Sequence, residues 1–366
     1  AYTIDNNLFV ADGDKQIQIT DNPEGVIAGQ SVHRNEFAID GGIFWSPDGS
    51  QLAYYSMDER MVTDYPLVDI TERIATATPI KYPMAGMDSH HVTLHIYNMK
   101  TGKELIVKTG EPAEQYLTAI TWNPDNSRIY IGVLNRGQND LKFNEYNAKT
   151  GELMQTIFED TDEQYVEPQG PAYFLPNNSD QFIWKAQRDG YYHLYLYTIS
   201  KAQVKQLTHG DFVITDFCGF SKDGKNIYYR STEGSPLERH FYVQNIASGK
   251  TTKITKEHGT HNVTPCGNGQ YFLDAYTSTD VPLNVDVMNA NGKFVNRLHE
   301  AENPIKDYHI GTTEIGTLKA EDGQTLYTRL IKPYNFDATK KYPVVVYVYG
   351  GPHAQLITDE WLAGAG

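Results

Sequence analysis

Apolar and polar positions alternate in short runs along this chain, and the clearest run is Phe44 to Tyr55, FWSPDGSQLAYY. An apolar stretch, a Pro-Asp-Gly turn and a second apolar stretch predict a β-hairpin, because Gly accepts the positive φ that such a turn needs. The phrase returns as TWNPDNSRIYIGV (Thr121 to Val133), YFLPNNSDQFIWK (Tyr173 to Lys185), GFSKDGKNIYYRS (Gly219 to Ser231) and, in weaker form, PCGNGQYFLDAY (Pro265 to Tyr276). With Trp45, Trp122, Phe174, Phe220 and Cys266 taken as equivalent, the intervals are 77, 52, 46 and 46 residues. Each hairpin is followed by a second strand–turn–strand phrase, such as LHIYNMKTGKELIV (Leu94 to Val107). Four short strands at this period predict an all-β chain built as a β-propeller of four-stranded blades. A β-sandwich with many hairpins is the alternative, but it has no reason to keep a fixed four-strand period. The long first interval then marks one blade with an insertion, Asp58 to His91.

The ends of the chain depart from the repeat. Leu8 to Thr20, LFVADGDKQIQIT, reads as the outer two strands of a unit whose inner strands are missing, so the propeller is expected to be incomplete at its N-terminal end: about five full blades plus a half blade over residues 1–310. Gly25 to Gly41, GVIAGQSVHRNEFAIDG, lacks strand alternation before Phe37 and suits a short exposed helix or a solvated connector. From residue 311 to 366 the pattern changes. Thr312 to Pro333 predicts another hairpin, and Val344 to Tyr349 is a continuous β-branched and aromatic run bounded by Pro343 and Gly350, the pattern of a buried strand in an α/β sheet.

Composition narrows the partners. The 46 acidic against 31 basic residues give a net charge of −15, which argues against nucleic acid, whose phosphates require clustered Lys and Arg. The same charge is compatible with a cationic ligand such as a peptide N-terminus, or simply with a solvated surface. No apolar run approaches the roughly 20 residues of a membrane span. The chain starts at Ala1 without Met and without an apolar leader, so any signal peptide is expected to have been removed or to lie outside the sequence. Cys218 and Cys266 fall in neighbouring repeats, as buried free thiols or as a bonded pair, with free thiols favoured. His90 and His91 are adjacent rather than at ligand spacing and read as loop, and no metal cluster is written in the sequence. Arg188, in AQRDGYY, reads as a hairpin-turn residue.

Two stretches carry a family resemblance. KKYPVVVYVYGGPHAQ (Lys340 to Gln355) and KYPMAGMDSHHVTLHIYN (Lys81 to Asn98), the latter following the FWSPDG hairpin, resemble the dipeptidyl peptidase IV branch of the prolyl oligopeptidase family of serine peptidases. In that family the first stretch is the strand and oxyanion loop opening an α/β-hydrolase domain, so residues 311–366 are expected to begin that domain. The resemblance implies a propeller that gates access for peptides with a free N-terminus, and an exopeptidase that releases dipeptides or tripeptides ending in Pro. It further implies no metal or nucleotide cofactor, a secreted or periplasmic location, and a homodimer formed when the protein is full length.

The resemblance also assigns residues. A tyrosine hydroxyl just before the Gly-Gly-Pro loop serves in the family's oxyanion hole, and that position is Tyr349. Acidic residues on a short helix before the first hairpin grip the substrate's α-amino group, and the matching carboxylate is Glu36 in HRNEF. The family's usual paired glutamates are reduced here to one acid, preceded by Arg34 and Asn35, which leaves dipeptide and tripeptide release both open. No Gly-x-Ser-x-Gly nucleophile elbow occurs in the sequence, so this polypeptide by itself is expected to be inactive. A non-enzymatic propeller used as a binding module, or an inactive relative, remains the competing reading.

Overall fold

The computed structural model describes residues 1–267 and 269–362, and the chain divides into two compact units. The first unit comprises residues 1–188 and 193–208. It opens on a three-stranded antiparallel sheet, β1 (Tyr2–Ile4), β2 (Asn7–Asp12) and β3 (Lys15–Gln18), one strand more than the sequence predicts there. Next come β4 (Val26–Ala28), β5 (Ile43–Trp45), β6 (Gln51–Asp58), β7 (Asp64–Asp69), β8 (Thr76–Lys81), β9 (His91–Asn98) and β10 (Glu104–Ile106). Of these, β4, β5, β6, β9 and β10 form one sheet. β7 and β8 pair only with each other, as a separate ribbon inside the predicted insertion. Two four-stranded sheets complete the unit: β11 (Gln115–Trp122) to β14 (Leu153–Thr161) through β12 (Arg128–Asn135) and β13 (Asp140–Asn147), and β15 (Tyr173–Phe174) to β18 (Gln203–Gln206) through β16 (Gln181–Gln187) and β17 (Tyr192–Thr198).

The repeated turn works as its residues require. Gly49 N–H donates to Ser46 O at 2.9 Å, Asn126 to Asn123 O at 3.0 Å, Asn178 to Leu175 O at 3.1 Å, Gly224 to Ser221 O at 2.8 Å and Gly269 to Cys266 O at 2.9 Å. Gly49, Asn126, Gly224 and Gly269 take φ of 70°, 64°, 67° and 67°, where Gly and Asn are the least strained residues. Aspartate side chains close the loop, Asp48 Oδ1 accepting from Ser50 N at 2.9 Å and Asp125 Oδ1 from Ser127 N at 2.9 Å. These bonds make Cys266 equivalent to Ser46 rather than to Trp45, a shift of one residue from the alignment made on sequence alone.

Aromatic residues on successive strands fill the core of the first unit. Phe143 on β13 is fully buried, with ring centroids of Trp184 at 4.9 Å, Phe158 at 5.2 Å, Phe182 at 5.7 Å and Tyr130 at 5.8 Å. Neighbouring sheets are also tied by polar bonds: Trp122 Nε1 donates to Phe44 O at 2.9 Å and the Tyr55 hydroxyl to Leu117 O at 2.6 Å. Arg188 sits at the predicted hairpin turn, yet its side chain is structural. It pairs with Asp160 at 2.8 Å and covers the rings of Tyr195 and Phe158 at 4.8 and 5.4 Å, contacts that a local reading of AQRDGYY does not contain.

The second unit comprises residues 189–192 and 209–366, of which 268 and 363–366 lie outside the described residues. One residue in the turn of the weakest repeat, Asn268, therefore lies outside the described residues. Two further four-stranded sheets carry the repeat, β19 (Ile214–Phe220) to β22 (Thr251–Lys253) through β20 (Asn226–Ser231) and β21 (His240–Asn245), and β23 (Thr260–Pro265) to β26 (Phe294–Glu300) through β24 (Tyr271–Thr277) and β25 (Asn284–Asn289). The predicted hairpin follows as β27 (Thr313–Lys319) and β28 (Thr325–Ile331). Consecutive four-stranded antiparallel sheets of this kind are propeller blades. Cys218 and Cys266 are both free and half-buried, and burial pushes the Cys218 thiol up to about 11.

One expectation fails in this unit. Val344 to Tyr349 forms no strand, and Val345 is 93% exposed. A β-branched run becomes a buried strand only when neighbouring strands pair with its edges and side chains cover its faces, and no described strand lies beside it. The segment that follows is held onto the blades by side chains. Asp359 accepts from His258 Nδ1 at 2.7 Å and from Thr279 N at 2.8 Å, and donates its own N–H to Leu237 O at 2.8 Å. The Asp359 hydrogen bond raises the His258 pKa.

Candidate functional site

The first blade departs from its siblings at its innermost strand. β4 pairs with Ser56 to Asp58 of β6 and β5 with Leu52 to Tyr54, so the strand is split and residues 29–42 leave the sheet between the halves. Strand β4 lies inside the stretch that the sequence reads as connector or helix. At the neck of this excursion Gly42 passes so close to Gln30 that a Cβ would fall 2.1 Å from its carbonyl oxygen, which excludes any side chain there. The excursion is pinned through its apolar residues. Val32 and Ile39 are buried, the Phe37 ring lies 4.4 Å from that of Tyr116, Ser31 Oγ donates to Ile39 O at 3.0 Å, and Thr118 Oγ1 donates to Phe37 O.

This packing holds an unfavourable backbone. His33, Asn35, Phe37 and Ala38 take φ of 50°, 61°, 58° and 58°, a left-handed region that costs residues with a Cβ about 1 kcal/mol or more each. A 3-10 turn, His33–Asn35, forms the tip, and Glu36 follows with its N–H donating to His33 O at 3.1 Å. The predicted short helix is thus a single turn. Glu36 is exposed, and among the described residues its carboxylate has no hydrogen-bond or ion-pair partner.

Glu36 stands on the wall of a cavity of about 350 Å³ that also exposes His33, Glu59, Lys81, Tyr116 and Arg136. His33 is buried, and that burial, reinforced by the neighbouring charges of His90 and Arg136, lowers its pKa to about 3, so the imidazole is neutral. His90, which the sequence reads as loop, stacks on His33 at 4.6 Å, while the Tyr116 ring meets His33 edge-on at 4.7 Å. Burial raises the Glu59 pKa, an effect that Lys81 opposes. Lys81 itself is committed to Asp64 at 3.0 Å and to Val62 O at 3.0 Å. The wall thus carries the Glu36 and Glu59 carboxylates together with the Arg136 guanidinium, and the carboxylates suit a ligand with an ammonium group.

The sequence reading names Glu36 and does not name Glu59, Tyr116 or Arg136, which line the same cavity. The last two meet because Tyr116 pairs with Leu134, which places Arg136 diagonally across β11 and β12 on the same face. That register is the signal which could have joined them. Glu59 follows β6 directly and carries no local mark. Tyr349, by contrast, belongs to the second unit and is 62% exposed in an irregular stretch. Its ring folds over Gly351, where a Cβ would lie 2.6 Å from Cε1. Among the described residues no cluster of three His, Cys, Asp or Glu side chains is placed to hold a metal, and no helix is long and apolar enough to cross a membrane.

Comparison with known proteins agrees with this architecture. Residues 1–283 match the family model described as the dipeptidyl peptidase IV N-terminal region. A crystal structure of a candidate dipeptidyl aminopeptidase IV from Bacteroides ovatus superimposes with a TM-score of 0.93 at 43% identity, covering 100% of this chain and 54% of that one. Dipeptidyl peptidase 4 of Porphyromonas gingivalis gives a TM-score of 0.86 at 27% identity, over 98% of this chain and 52% of that one. A dipeptidyl peptidase 4 from Arthroderma otae is 24% identical across 99% of this chain and 50% of its own length. The chain thus spans about half the length of the relatives it matches. On the strength of the blade repeat, the structural likeness and the match over residues 1–283, the chain belongs to the dipeptidyl peptidase IV family and corresponds to its N-terminal region.

Proposed function

We propose that this chain is the gating and substrate-measuring part of a serine exopeptidase that removes dipeptides or tripeptides ending in Pro from peptides with a free N-terminus. Residues 1–310 supply the propeller, residues 311–366 open the α/β-hydrolase domain, and Tyr349 is a donor of its oxyanion hole. The observation that carries the reading is the Glu36 carboxylate, unpartnered among the described residues and fixed on a strained, anchored turn at the wall of the cavity. An ammonium facing this carboxylate forms a charge-assisted hydrogen bond, stronger inside a cavity than in water because the local dielectric is lower. Glu59, half-buried on the same cavity, supplies the second acid that HRNEF lacks.

The test uses the full-length protein that carries this chain. Ala-Pro and Ala-Ala-Pro chromogenic amides, each with a free and an acetylated N-terminus, should be cleaved only when the amine is free, and the preferred length sets dipeptide or tripeptide release. Glu36→Gln should lower kcat/KM for the free substrates about tenfold to a hundredfold, the worth of a hydrogen bond between charged groups. Equal cleavage of acetylated substrates by wild type would instead mean an endopeptidase, and no cleavage at all would leave a binding module.

The ribbon of β7 and β8 supports a homodimer of the full-length protein. It pairs with no other strand and exposes Ile70 and Ile74 at 80% and 81%, alongside Leu67 and Val68. An isolated two-stranded ribbon is marginal in water, and apolar side chains on it favour a covering partner. Light scattering should report twice the monomer mass, falling to the monomer mass in an Ile70→Asp, Ile74→Asp double variant. A monomeric wild type at micromolar concentration rules the ribbon out as a dimer contact.

A further inference from the structure

An ammonium ion would use only the carboxylates of the cavity wall. Arg136 follows β12, is half-buried, and donates to the Tyr116 hydroxyl while lying 5.8 Å from the Tyr116 ring centroid. Among the described residues it has no carboxylate partner. A guanidinium offers five N–H donors in a fixed fork, and one phenol oxygen leaves most of them open. Beside it, His33 is only 8% exposed, and its Nε2 is buried with no hydrogen-bond partner. An unmatched polar nitrogen so deeply buried is costly unless a ligand completes it.

These two groups share one cavity with Glu36 and Glu59, while Lys81, a further cation on its wall, is already held by Asp64. The cavity wall therefore carries both signs of charge, two carboxylates and a guanidinium that has no carboxylate partner among the described residues. An N-terminal aspartate or glutamate has the matching form: an α-ammonium and, a few bonds away, a side-chain carboxylate. A neutral backbone carbonyl at Arg136 would leave its charge uncompensated, whereas a carboxylate takes two of its N–H groups in parallel.

We infer that this cavity selects peptides whose N-terminal residue is acidic, with Glu36 accepting from the α-ammonium, Arg136 donating to the side-chain carboxylate, and His33 Nε2 completing the polar lining beside it. Arg136 and His33 are then specificity-determining residues, and the inference rests on the reading of Glu36 as the amine ligand. Tyr116 has a positioning role, since its hydroxyl aims the guanidinium.

The experiment compares isosteric substrates that differ by one charge, Glu-Pro against Gln-Pro amides and Glu-Ala-Pro against Gln-Ala-Pro amides, on the full-length protein. Wild type should favour the glutamate member of the cleaved pair in kcat/KM by about tenfold to a hundredfold. Arg136→Gln should bring the ratio close to one, and Arg136→Lys should keep part of the preference, because it retains charge but not the fork. The ratio is internal to each variant, so loss of folded enzyme cancels. A wild-type ratio at or below one, a preference that survives Arg136→Gln, or an equal loss on both substrates would overturn the inference. Cleavage of free Ala-Pro or Ala-Ala-Pro amides without any glutamate preference sinks this inference alone. Failure to cleave any free N-terminus sinks the exopeptidase reading and this one together.

Discussion

With Tyr349 as the oxyanion donor proposed above, Tyr349→Phe in the full-length protein is expected to lower kcat about a hundredfold to a thousandfold, the usual effect of removing one such donor. The substitution deletes a single hydroxyl and keeps the ring. Tyr349 is largely exposed in this chain and its ring rests on Gly351, so the phenylalanine ring keeps the same contact and folding is unaffected. The hydroxyl should matter only when charge develops on the substrate oxygen, so kcat and kcat/KM should fall together while KM for an Ala-Pro amide stays close to wild type. Steady-state kinetics with active-site titration measures both. A change smaller than about threefold would remove Tyr349 from the oxyanion hole.

Phe143→Ala should destabilise the first unit by about 3–5 kcal/mol, through lost burial and the cavity left among rings that cannot all move inward. Phe143 is fully buried, and the four rings around it come from β12, β14 and β16, so its deletion loosens two sheets at once. Phe143→Leu, which keeps most of the volume, should lose less than about 1.5 kcal/mol. Urea unfolding followed by intrinsic tryptophan fluorescence reads the effect, since one of the four indoles, Trp184, is itself buried against Phe143. If both variants lose the same amount, the aromatic cluster is not what holds these sheets together.

Much of the fold was legible because hairpins are local. Alternation, a Pro-Asp-Gly or Asn-Asn turn and a period near 46 residues lie within reach of a short window, and the structure places the turns where those residues stand. The long first interval was visible for the same reason, and β7 and β8 lie within residues 58–91. Glu36 stood out by its position before the first hairpin and by family resemblance, not by any property of its own side chain.

The rest depended on contacts between residues far apart in sequence. That β4 and β5 share one edge of β6 follows from pairing across the 14 residues of intervening chain, 29–42, and no local signal marks the end of β4. Arg136, Tyr116, His33 and Glu59 come from four separate segments, and only strand register and the packing of neighbouring sheets bring them to one cavity. The run Val344 to Tyr349 shows the converse. Its β-branched pattern states what the run would favour if covered, but burial is a property of the neighbours, and in this structure they are absent among the described strands. The sequence by itself determined the blades and their turns, because periodicity and turn chemistry act between near neighbours. The tertiary structure alone decided which charges share a cavity and which apolar run is covered, because both depend on segments that approach only after the sheets have packed.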